Sequence, residues 1–256
     1  MKAAELYHLA ADGGNVQAQC NLGVCYERGE GVEQNTTKAA ELYHLAADGG
    51  NMQAQFNLGN FYYLGEGVER NLTRAAEYYQ MAAGSGYAIS HSNLGKLYEN
   101  GEGVQQNISK AAEIYKLAAD AGDAQALYNL GLLYYSGKGV KKNIARAIEL
   151  YQMAADAGNT KALFNLATFY CDGEGVEKDT VRAAELFQLA ADANDGNSLF
   201  NLGVLYENGE GVEQNLAKAA EFYQLAADAG VSQARQNYDE AVQRIRFAKA
   251  KRPVAQ

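Results

Sequence analysis

Tryptophan is absent from this chain of 256 residues, and proline occurs only once, beside 27 glycines. A chain rich in glycine but nearly free of proline is not collagen, and it lacks the composition of a disordered Pro/Gly linker. Cysteine is also scarce, because Cys20, Cys25 and Cys171 are the only three and share no spacing. They therefore form neither a disulfide framework nor a zinc site, and we expect three thiols in a reducing compartment.

Basic residues are fewer than acidic ones, with 22 Lys and Arg against 31 Asp and Glu and a formal net charge of −9. Nucleic-acid binding takes most of its affinity from Lys and Arg on phosphates, so nucleic acid is not the expected partner. No stretch approaches the ~18 apolar residues of a membrane helix, and the N-terminus shows no signal-peptide core. We expect a folded cytoplasmic protein without membrane insertion. The abrupt start inside a repeat also fits a fragment of a longer protein.

The glycines that are present recur at a fixed interval of 36 residues. The tetrapeptide Gly29-Glu30-Gly31-Val32 has six copies, and every copy keeps both glycines. The copies begin at Gly29, Gly65, Gly101, Gly137, Gly173 and Gly209. Self-similarity at a period of 20–50 residues indicates a repeat array rather than separate globular domains.

Each repeat contains two helical patterns. In the first pattern, Ala54, Leu58 and Phe61 follow the spacing of one helical face. Gly59 lies beside this face, where a missing side chain lets another helix approach closely. The second pattern, residues 74–83, is rich in alanine and has a central tyrosine. An Asn or Asp stands where the N-cap of each second helix is needed, at Asn35, Asn71, Asn107, Asn143, Asp179 and Asn215.

These patterns predict an all-α fold, an α/α solenoid of six 36-residue helix pairs with a half-repeat at each end. About fourteen helices are expected, beginning with a second-type helix and ending with a first-type helix. We treat residues 1–256 as a single solenoid domain, with repeats over about 3–245. The segment 232–256 is predicted to be a C-terminal capping helix with a basic tail, since arrays need polar ends.

The repeat resembles that of the Sel-one-like repeat (SLR) family, a relative of the tetratricopeptide repeat. The matching residues are Leu58-Gly59, Tyr62, Gly65, Gly67-Val68, Asn71, Arg74-Ala75, Tyr79, Ala82-Ala83 and Gly86. The resemblance implies a right-handed α/α superhelix that serves as a protein-binding adaptor or scaffold without catalytic activity. One cysteine-rich branch of the family, linked to penicillin binding, has a cysteine pair in each repeat, and this chain lacks those pairs.

The predicted binding surface is the face of the first helix that points away from the core. Positions that are identical in every repeat are expected to serve packing. The positions of this face differ between repeats while remaining helical, so they are free to serve recognition. In the tetratricopeptide relative this helix lines a concave groove, and by resemblance a peptide or protein segment would bind there. The predicted site consists of Asn57, Asn60, Tyr63, Asn93, Lys96, Tyr128, Asn129, Leu132, Tyr135, Phe164, Asn165, Thr168, Phe200 and Asn201. Its aromatic residues are typical of hot spots, but the position of Phe56 could instead pack against the adjacent repeat.

One asparagine recurs in every first-type helix, at the edge of the predicted face. The seven residues are Asn21, Asn57, Asn93, Asn129, Asn165, Asn201 and Asn237. A ladder of amides could bond to the backbone of an extended peptide, since each amide both donates and accepts. The alternative is a structural hydrogen bond to a neighbouring carbonyl or helix end.

The C-terminal segment departs from the repeat and is basic. Its cationic residues are Arg235, Arg244, Arg246, Lys249, Lys251 and Arg252. One interpretation is a polar capping helix, and the other is a contact for an acidic partner. His8 and His44 occupy equivalent positions on what we predict to be a solvated face, because two histidines alone do not make a metal site.

Three functions remain open. The first is an adaptor that binds a peptide or protein of unknown identity. The second is a structural or regulatory arm of a larger protein. The third and most remote is a β-lactam-binding hydrolase, as in the cysteine-rich branch. We name no catalytic residue, metal or cofactor, because the carboxylates recur with the repeat whereas a catalytic group is usually unique.

Overall fold

The computed structural model describes residues 2–250, with side chains from 3 to 248, and this part of the chain is entirely α-helical apart from its connections. The helices are α1 (Lys2–Asp12), α2 (Val16–Arg28), α3 (Thr36–Asp48), α4 (Met52–Leu64), α5 (Leu72–Gly84), α6 (Ile89–Asn100), α7 (Ile108–Asp120), α8 (Ala124–Ser136), α9 (Ile144–Asp156), α10 (Thr160–Asp172), α11 (Thr180–Asp192), α12 (Gly196–Asn208), α13 (Leu216–Asp228) and α14 (Ser232–Ala250). Even-numbered helices are of the first type and odd-numbered helices of the second type. The all-α fold and its order of helices are therefore confirmed.

The helices form two compact units. The first unit contains the chain up to Ala126 together with Lys138–Lys141, and the second contains Leu127–Gly137 together with the chain from Lys142 onward. Within each unit, helices that follow one another in sequence pack on one another. This nearest-neighbour packing is typical of a solenoid. The assignment of residues 1–256 to one domain stays a prediction, and Lys249, Lys251 and Arg252 of the basic tail lie outside the described side chains.

The predicted N-caps of the second-type helices are all present. In each case the side-chain oxygen accepts a hydrogen bond of 2.9–3.1 Å from the backbone N–H three residues later. The capping residues are Asn35, Asn71, Asn107, Asn143, Asp179 and Asn215. These caps satisfy backbone donors that a helix start would otherwise leave free, so local chemistry sets where each helix begins.

The second glycine of each Gly-x-Gly segment connects neighbouring repeats. Gly103 has a φ of 69°, and a Cβ atom placed on it would lie 2.2 Å from the backbone carbonyl carbon of Leu72. Only glycine permits both the left-handed backbone and this contact with the start of the preceding second-type helix. The loop of one repeat therefore packs against the N-terminus of the second-type helix in the repeat before it.

The core of each helix pair is a buried aromatic ring packed on a glycine of the preceding helix. The glycines are Gly23, Gly59, Gly95, Gly131 and Gly203, and the rings opposite them are Tyr43, Tyr79, Tyr115, Tyr151 and Tyr223. A Cβ atom on any of these glycines would lie 2.6–2.7 Å from a ring carbon. In the remaining pair the equivalent positions hold Ala167 and Phe187, both buried. The predicted close approach at Gly59 is thus confirmed, and a side chain causes it.

Replacing Gly59 with alanine should lower the free energy of unfolding by about 1–3 kcal/mol, because the added methyl overpacks the Tyr79 ring. Gly84 is the matched control, since it lies in helix α5 and a Cβ there would contact nothing within 4 Å. Gly84→Ala should raise stability by up to ~1 kcal/mol through helix propensity. Calorimetric unfolding of both variants tests the pair, and a stable Gly59→Ala protein would contradict the packing argument.

In two first-type helices, α6 and α12, a serine occupies a buried position that holds alanine in the other first-type helices. The hydroxyls of Ser90 and Ser198 are fully buried, and neither has a hydrogen-bond partner among the described residues. Ala54 and Ala162 occupy the same place in α4 and α10, and they are equally buried. A buried hydroxyl without a partner loses its hydrogen bonds to water and gains none in return.

Ser198→Ala should therefore raise the free energy of unfolding by about 1 kcal/mol. Ser92→Ala should do the opposite by a similar amount, because the Ser92 hydroxyl donates to Asp123 Oδ1 at 2.8 Å. Urea denaturation compares the two single variants directly. Changes of the same sign and size in the free energy of unfolding would contradict the argument that a hydrogen-bond partner for the hydroxyl determines its effect on stability.

Candidate partner-binding face

The predicted aromatic anchors are half-buried and pack on the core ring of their own helix pair. Phe56 lies 5.9 Å from Tyr79 between ring centroids, and Tyr128 lies 5.8 Å from Tyr151. The same contact joins Phe164 to Phe187 at 5.8 Å and Phe200 to Tyr223 at 5.5 Å. Phe56 also contacts Tyr87 of the next repeat at 5.2 Å, in agreement with the packing alternative for this position. These rings are therefore packed against core rings rather than free in solvent, and they form the walls of the predicted face.

One cavity of the predicted face lies in the first unit, between α4 and α6. It measures about 200 Å³ and is lined by Asn60, Tyr63, Leu64, Tyr79, Asn93 and Lys96. The Tyr79 hydroxyl donates to Asn60 Oδ1 at 2.7 Å, and Asn93 Nδ2 donates to the same oxygen at 3.4 Å. Lys96 Nζ lies 5.8 Å from the centroid of the Tyr63 ring. The polar groups of this cavity therefore bind one another, and its one charge is positive.

A second cavity lies in the second unit, between α8 and α10. It measures about 230 Å³ and is lined by Leu132, Tyr135, Tyr151, Phe164, Asn165, Thr168, Phe169, Asp172 and Glu174. The Tyr135 hydroxyl donates to Glu174 Oε2 at 3.3 Å, and the Tyr135 ring packs edge-on against Phe169. Thr168 Oγ1 donates to the Phe164 carbonyl at 3.0 Å. The charged groups of this lining are two carboxylates.

The two cavities occupy equivalent places in their repeats. Tyr63, Tyr79 and Asn93 of the first correspond to Tyr135, Tyr151 and Asn165 of the second. In three other repeats the position of Tyr63 holds a glutamate, which accepts the hydrogen bond of the core tyrosine, and in the repeat whose core ring is Phe187 it holds Cys171. Glu99 accepts from Tyr115 at 2.8 Å, Glu207 accepts from Tyr223 at 2.7 Å, and Glu27 accepts from Tyr43. A tyrosine in place of that glutamate removes the acceptor and leaves the hydroxyl facing a cavity.

The change between glutamate and tyrosine at this position is visible when the repeats are compared in sequence, but its effect on the core tyrosine is not. Tyr63 and Tyr135 belong to the predicted site for their aromatic character alone. Their effect on a tyrosine of the following helix depends on packing between helices. The core tyrosines themselves, Tyr79 and Tyr151, were not among the predicted site residues, because their repetition indicated a structural role.

The hydroxyl of Tyr151 is the one core tyrosine hydroxyl that lacks a partner among the described residues. The side chain is only 1% exposed. Burial raises the pKa of Tyr151 above its usual range, and the nearby Asn165 amide lowers it in part, without completing a hydrogen bond. Burial likewise raises the pKa of Tyr79. Both hydroxyls are therefore neutral at physiological pH and act as hydrogen-bonding groups.

The recurring asparagines are half-buried, and four of them contact a core tyrosine. Burial raises the pKa of each such tyrosine, and the asparagine amide beside it lowers the pKa in part. The pairs are Tyr43 with Asn57, Tyr79 with Asn93, Tyr151 with Asn165 and Tyr223 with Asn237. The structural contact of this ladder is thus a tyrosine hydroxyl, rather than the carbonyl or helix end we considered. Peptide binding by the ladder stays a prediction.

Several predicted site residues lie in neither cavity. Asn57, Tyr128, Asn129, Phe200 and Asn201 are half-buried residues of the first-type helices, outside both linings. The other nine predicted residues fall into the two sets described above. The two sets belong to separate units and are described here as two local sites, and the concave groove stays a prediction.

A regular row of exposed apolar residues was not predicted from the sequence. We call it the apolar ladder, and it consists of Leu9, Leu45, Met81, Leu117, Met153, Leu189 and Leu225. Each belongs to a second-type helix, and their exposed fractions are 46–75%. The signal was present, since every repeat keeps Leu or Met at this position. We took repetition as a sign of burial, and here that inference was wrong.

Helix α14 packs its apolar side on the preceding helices. Ala241 is buried, and Tyr238 and Ile245 join the cluster formed by Ala219 and Tyr223. Arg244 pairs with Glu207, so one of the basic residues serves the fold. These contacts support the capping interpretation, and an acidic partner at this helix stays a prediction.

The two histidines differ in their surroundings. His8 is exposed, as predicted, and lies 3.4 Å from the Tyr26 hydroxyl. His44 is half-buried between two tyrosines, with contacts of 3.0 Å to the Tyr62 hydroxyl and 3.3 Å to the Tyr78 hydroxyl. Burial lowers the pKa of His44, although Asp48 opposes the effect. The prediction of a solvated face is therefore wrong for His44, because the aromatic residue at position 78 covers it.

Comparison with known families gives a match over most of the chain. The Sel1 repeat matches at residues 1–15, 16–51, 53–87, 88–123, 124–159, 160–195 and 196–231. No protein with a curated description matches the chain. Over residues 2–250, none of the helices combines the length and the apolar character needed to cross a bilayer.

Solved structures show the same fold. The chain is similar to c5321, a protective antigen of uropathogenic Escherichia coli displaying an SLR fold, with 32% identity and a TM-score of 0.85. That match covers 94% of this chain but only 52% of c5321, so the chain spans about half the length of that relative. A Sel1 repeat protein from Oxalobacter formigenes is 34% identical with a TM-score of 0.76, over 83% of this chain and 85% of that one.

Tyr151→Phe should leave the free energy of unfolding unchanged or raise it by about 1 kcal/mol, because the lost hydroxyl has no partner. Phe187 shows that phenylalanine fits this place in the repeat. Tyr223→Phe is the matched control and should destabilise by about 1.5–3 kcal/mol, since it removes a hydrogen bond to a carboxylate. Chemical denaturation separates the two, and equal losses would mean that Tyr151 has a partner after all.

Proposed function

Since the chain belongs to the Sel1 repeat family, we propose that it is a protein-interaction module that binds a peptide or extended protein segment on the face of its first-type helices. The proposal includes no catalytic step. Its partner is a protein, and the site consists of the two cavities together with the half-buried asparagines beside them. The identity of the partner is left open, but its chemistry follows from the cavity linings.

The observation that carries this proposal is the recurrence of one cavity design in both units. Each cavity combines aromatic walls, an asparagine amide and a buried tyrosine hydroxyl. Concave apolar sites with a few convergent polar groups are typical binding sites, and half-exposed aromatic residues are typical anchors. A cavity of about 200–230 Å³ suits one amino-acid side chain rather than a whole cofactor.

The same polar groups favour recognition over catalysis. The hydroxyls of Tyr79 and Tyr151 have pKa values raised by burial, so they are poorly suited to act as nucleophiles or general bases at neutral pH. A neutral hydroxyl and a neutral amide can instead donate to and accept from a peptide. Binding therefore uses these groups in the state in which the fold holds them.

A structural or regulatory arm is the second candidate, and the apolar ladder favours it. A row of exposed Leu and Met residues at equivalent positions is suited to packing against another part of a larger protein. In that case the second-type helices, and not the first-type helices, would carry the interaction. The two candidates therefore assign binding to different faces.

A peptide selection distinguishes the two faces. A dodecamer display library is selected on the purified chain, and affinities of the enriched peptides are measured by calorimetry for two double variants. Tyr63→Ala with Tyr135→Ala should weaken binding by roughly tenfold or more, as loss of an aromatic anchor does. Leu117→Ala with Met153→Ala, on the apolar ladder, should change affinity by less than about twofold.

The reverse pattern would move the interaction to the ladder and contradict the proposal. Absence of any enriched peptide would favour the structural arm. The hydrolase alternative predicts covalent labelling by a fluorescent penicillin, which a binding module does not give. Circular dichroism of both double variants confirms that each retains its helices before affinities are compared.

A further inference from the structure

We propose that the cavity of the second unit binds the side chain of an arginine supplied by the partner segment. The inference rests on the proposed function and names the chemistry that this one cavity selects. Three features carry it: acceptor groups, apolar walls, and a buried hydroxyl without a partner.

The lining is rich in acceptors and poor in free donors. Asp172 and Glu174 are exposed carboxylates, and neither forms an ion pair with a lysine or arginine among the described residues. Two of its donors are already engaged, because Tyr135 donates to Glu174 and Thr168 donates to a backbone carbonyl, and the remaining polar groups, the Tyr151 hydroxyl and the Asn165 amide, can also accept. A ligand that brings several donors and no acceptor complements such a lining. A cation does so with the added attraction of the carboxylates.

The buried end of the cavity adds an acceptor that the fold leaves unused. The Tyr151 hydroxyl is buried, lines the cavity and has no hydrogen-bond partner among the described residues. A buried hydroxyl without a partner is costly, so its retention here calls for a ligand. The hydroxyls of Tyr115 and Tyr223 differ in this respect, because each donates a hydrogen bond to a glutamate.

The walls favour a guanidinium group over an ammonium group. Leu132, Phe164 and Phe169 contribute apolar walls to the cavity. Three methylene groups can lie against these side chains, while a planar guanidinium packs on the face of an aromatic ring. Its five N–H donors spread over a plane and can reach acceptors at separate places, whereas a lysine ammonium presents its three donors at one point.

The first unit offers a natural counterexample. Its cavity has Lys96 at the place of Thr168, and no carboxylate lines it. Its core hydroxyl is satisfied as well, since Tyr79 donates to Asn60. A cationic side chain would meet repulsion and no vacant acceptor there. The equivalent cavities therefore differ in the charge of the lining and in the state of the core hydroxyl, on both of which arginine binding depends.

The test uses the pentapeptides acetyl-Gly-Gly-Xaa-Gly-Gly-amide, with arginine, lysine, norleucine or glutamate at Xaa, titrated into the ¹⁵N-labelled full chain. The arginine peptide should shift backbone amides of α8 and α10 and bind roughly threefold or more tightly than the lysine peptide. The norleucine and glutamate peptides should bind roughly tenfold more weakly than arginine, because they lack cationic donors. Equal affinity for norleucine, or shifts confined to the first unit, would overturn the inference.

Two substitutions taken from the protein itself sharpen the test. Thr168→Lys copies the residue of the first cavity and should weaken the arginine peptide by roughly tenfold, through like-charge repulsion. Lys96→Thr, the reciprocal change, should leave its affinity unchanged. Tyr151→Phe should weaken binding several-fold while the helices remain intact, because Phe187 already occupies an equivalent place. Insensitivity to both Thr168→Lys and Tyr151→Phe would exclude this cavity as the site.

Failure of the inference is distinguishable from failure of the proposed function. If display-selected peptides lose affinity in the Tyr63→Ala and Tyr135→Ala double variant but gain none from an arginine, the interaction face stands and the arginine assignment falls. An arginine-to-norleucine change in a selected peptide provides the direct reading. This change in the peptide should weaken binding to the unmodified chain and leave binding to the Thr168→Lys variant unchanged. A double-mutant cycle would then show coupling between the peptide arginine and residue 168.

Discussion

The packing of a tyrosine ring against a helix backbone that has no side chain is the contact on which the rest of the structure depends. At Gly131, as at its four equivalents, even one methyl group would collide with the ring. The two helices of a pair can approach this closely only because the first helix has a glycine, which lacks a side chain, at the point of contact. The ring then fills the space, and small alanines surround it. Because this contact is local, it can be repeated along the chain, and each repeat contributes its own core.

The same ring links the core to the surface. Its hydroxyl reaches the edge of the helix pair, where one position on the preceding first-type helix decides its partner. Glutamate at that position, as in Glu99, accepts a hydrogen bond from the hydroxyl and closes the edge. Tyrosine, as in Tyr135, cannot do so in the same way and leaves a cavity lined by the hydroxyl. A single substitution in a repeat therefore converts a structural contact into a site that can hold a side chain.

Repetition has two meanings in this chain, and sequence reasoning treated them as one. Positions such as Tyr43 repeat because they are buried, whereas the Leu and Met residues of the apolar ladder repeat while exposed. Asn57 and its equivalents are intermediate, since they are half-buried and contact a tyrosine hydroxyl. Periodicity alone does not separate these cases, because a helical pattern records only that a residue is retained. The partner of the side chain must be known before a role is assigned.

The sequence by itself determined the all-α fold, the 36-residue period, the two helix types and the N-caps, because glycine conformation and capping are properties of a few neighbouring residues. The tertiary structure alone decided which hydroxyl lacks a partner, which of the predicted residues meet in one cavity, and that His44 lies between two tyrosines. These outcomes depend on side chains that are distant in sequence, 18 and 34 residues apart for the two contacts of His44 and 39 residues apart for Tyr135 and Glu174. Local propensity places each helix, but only packing brings Tyr151, Asn165 and the two carboxylates together.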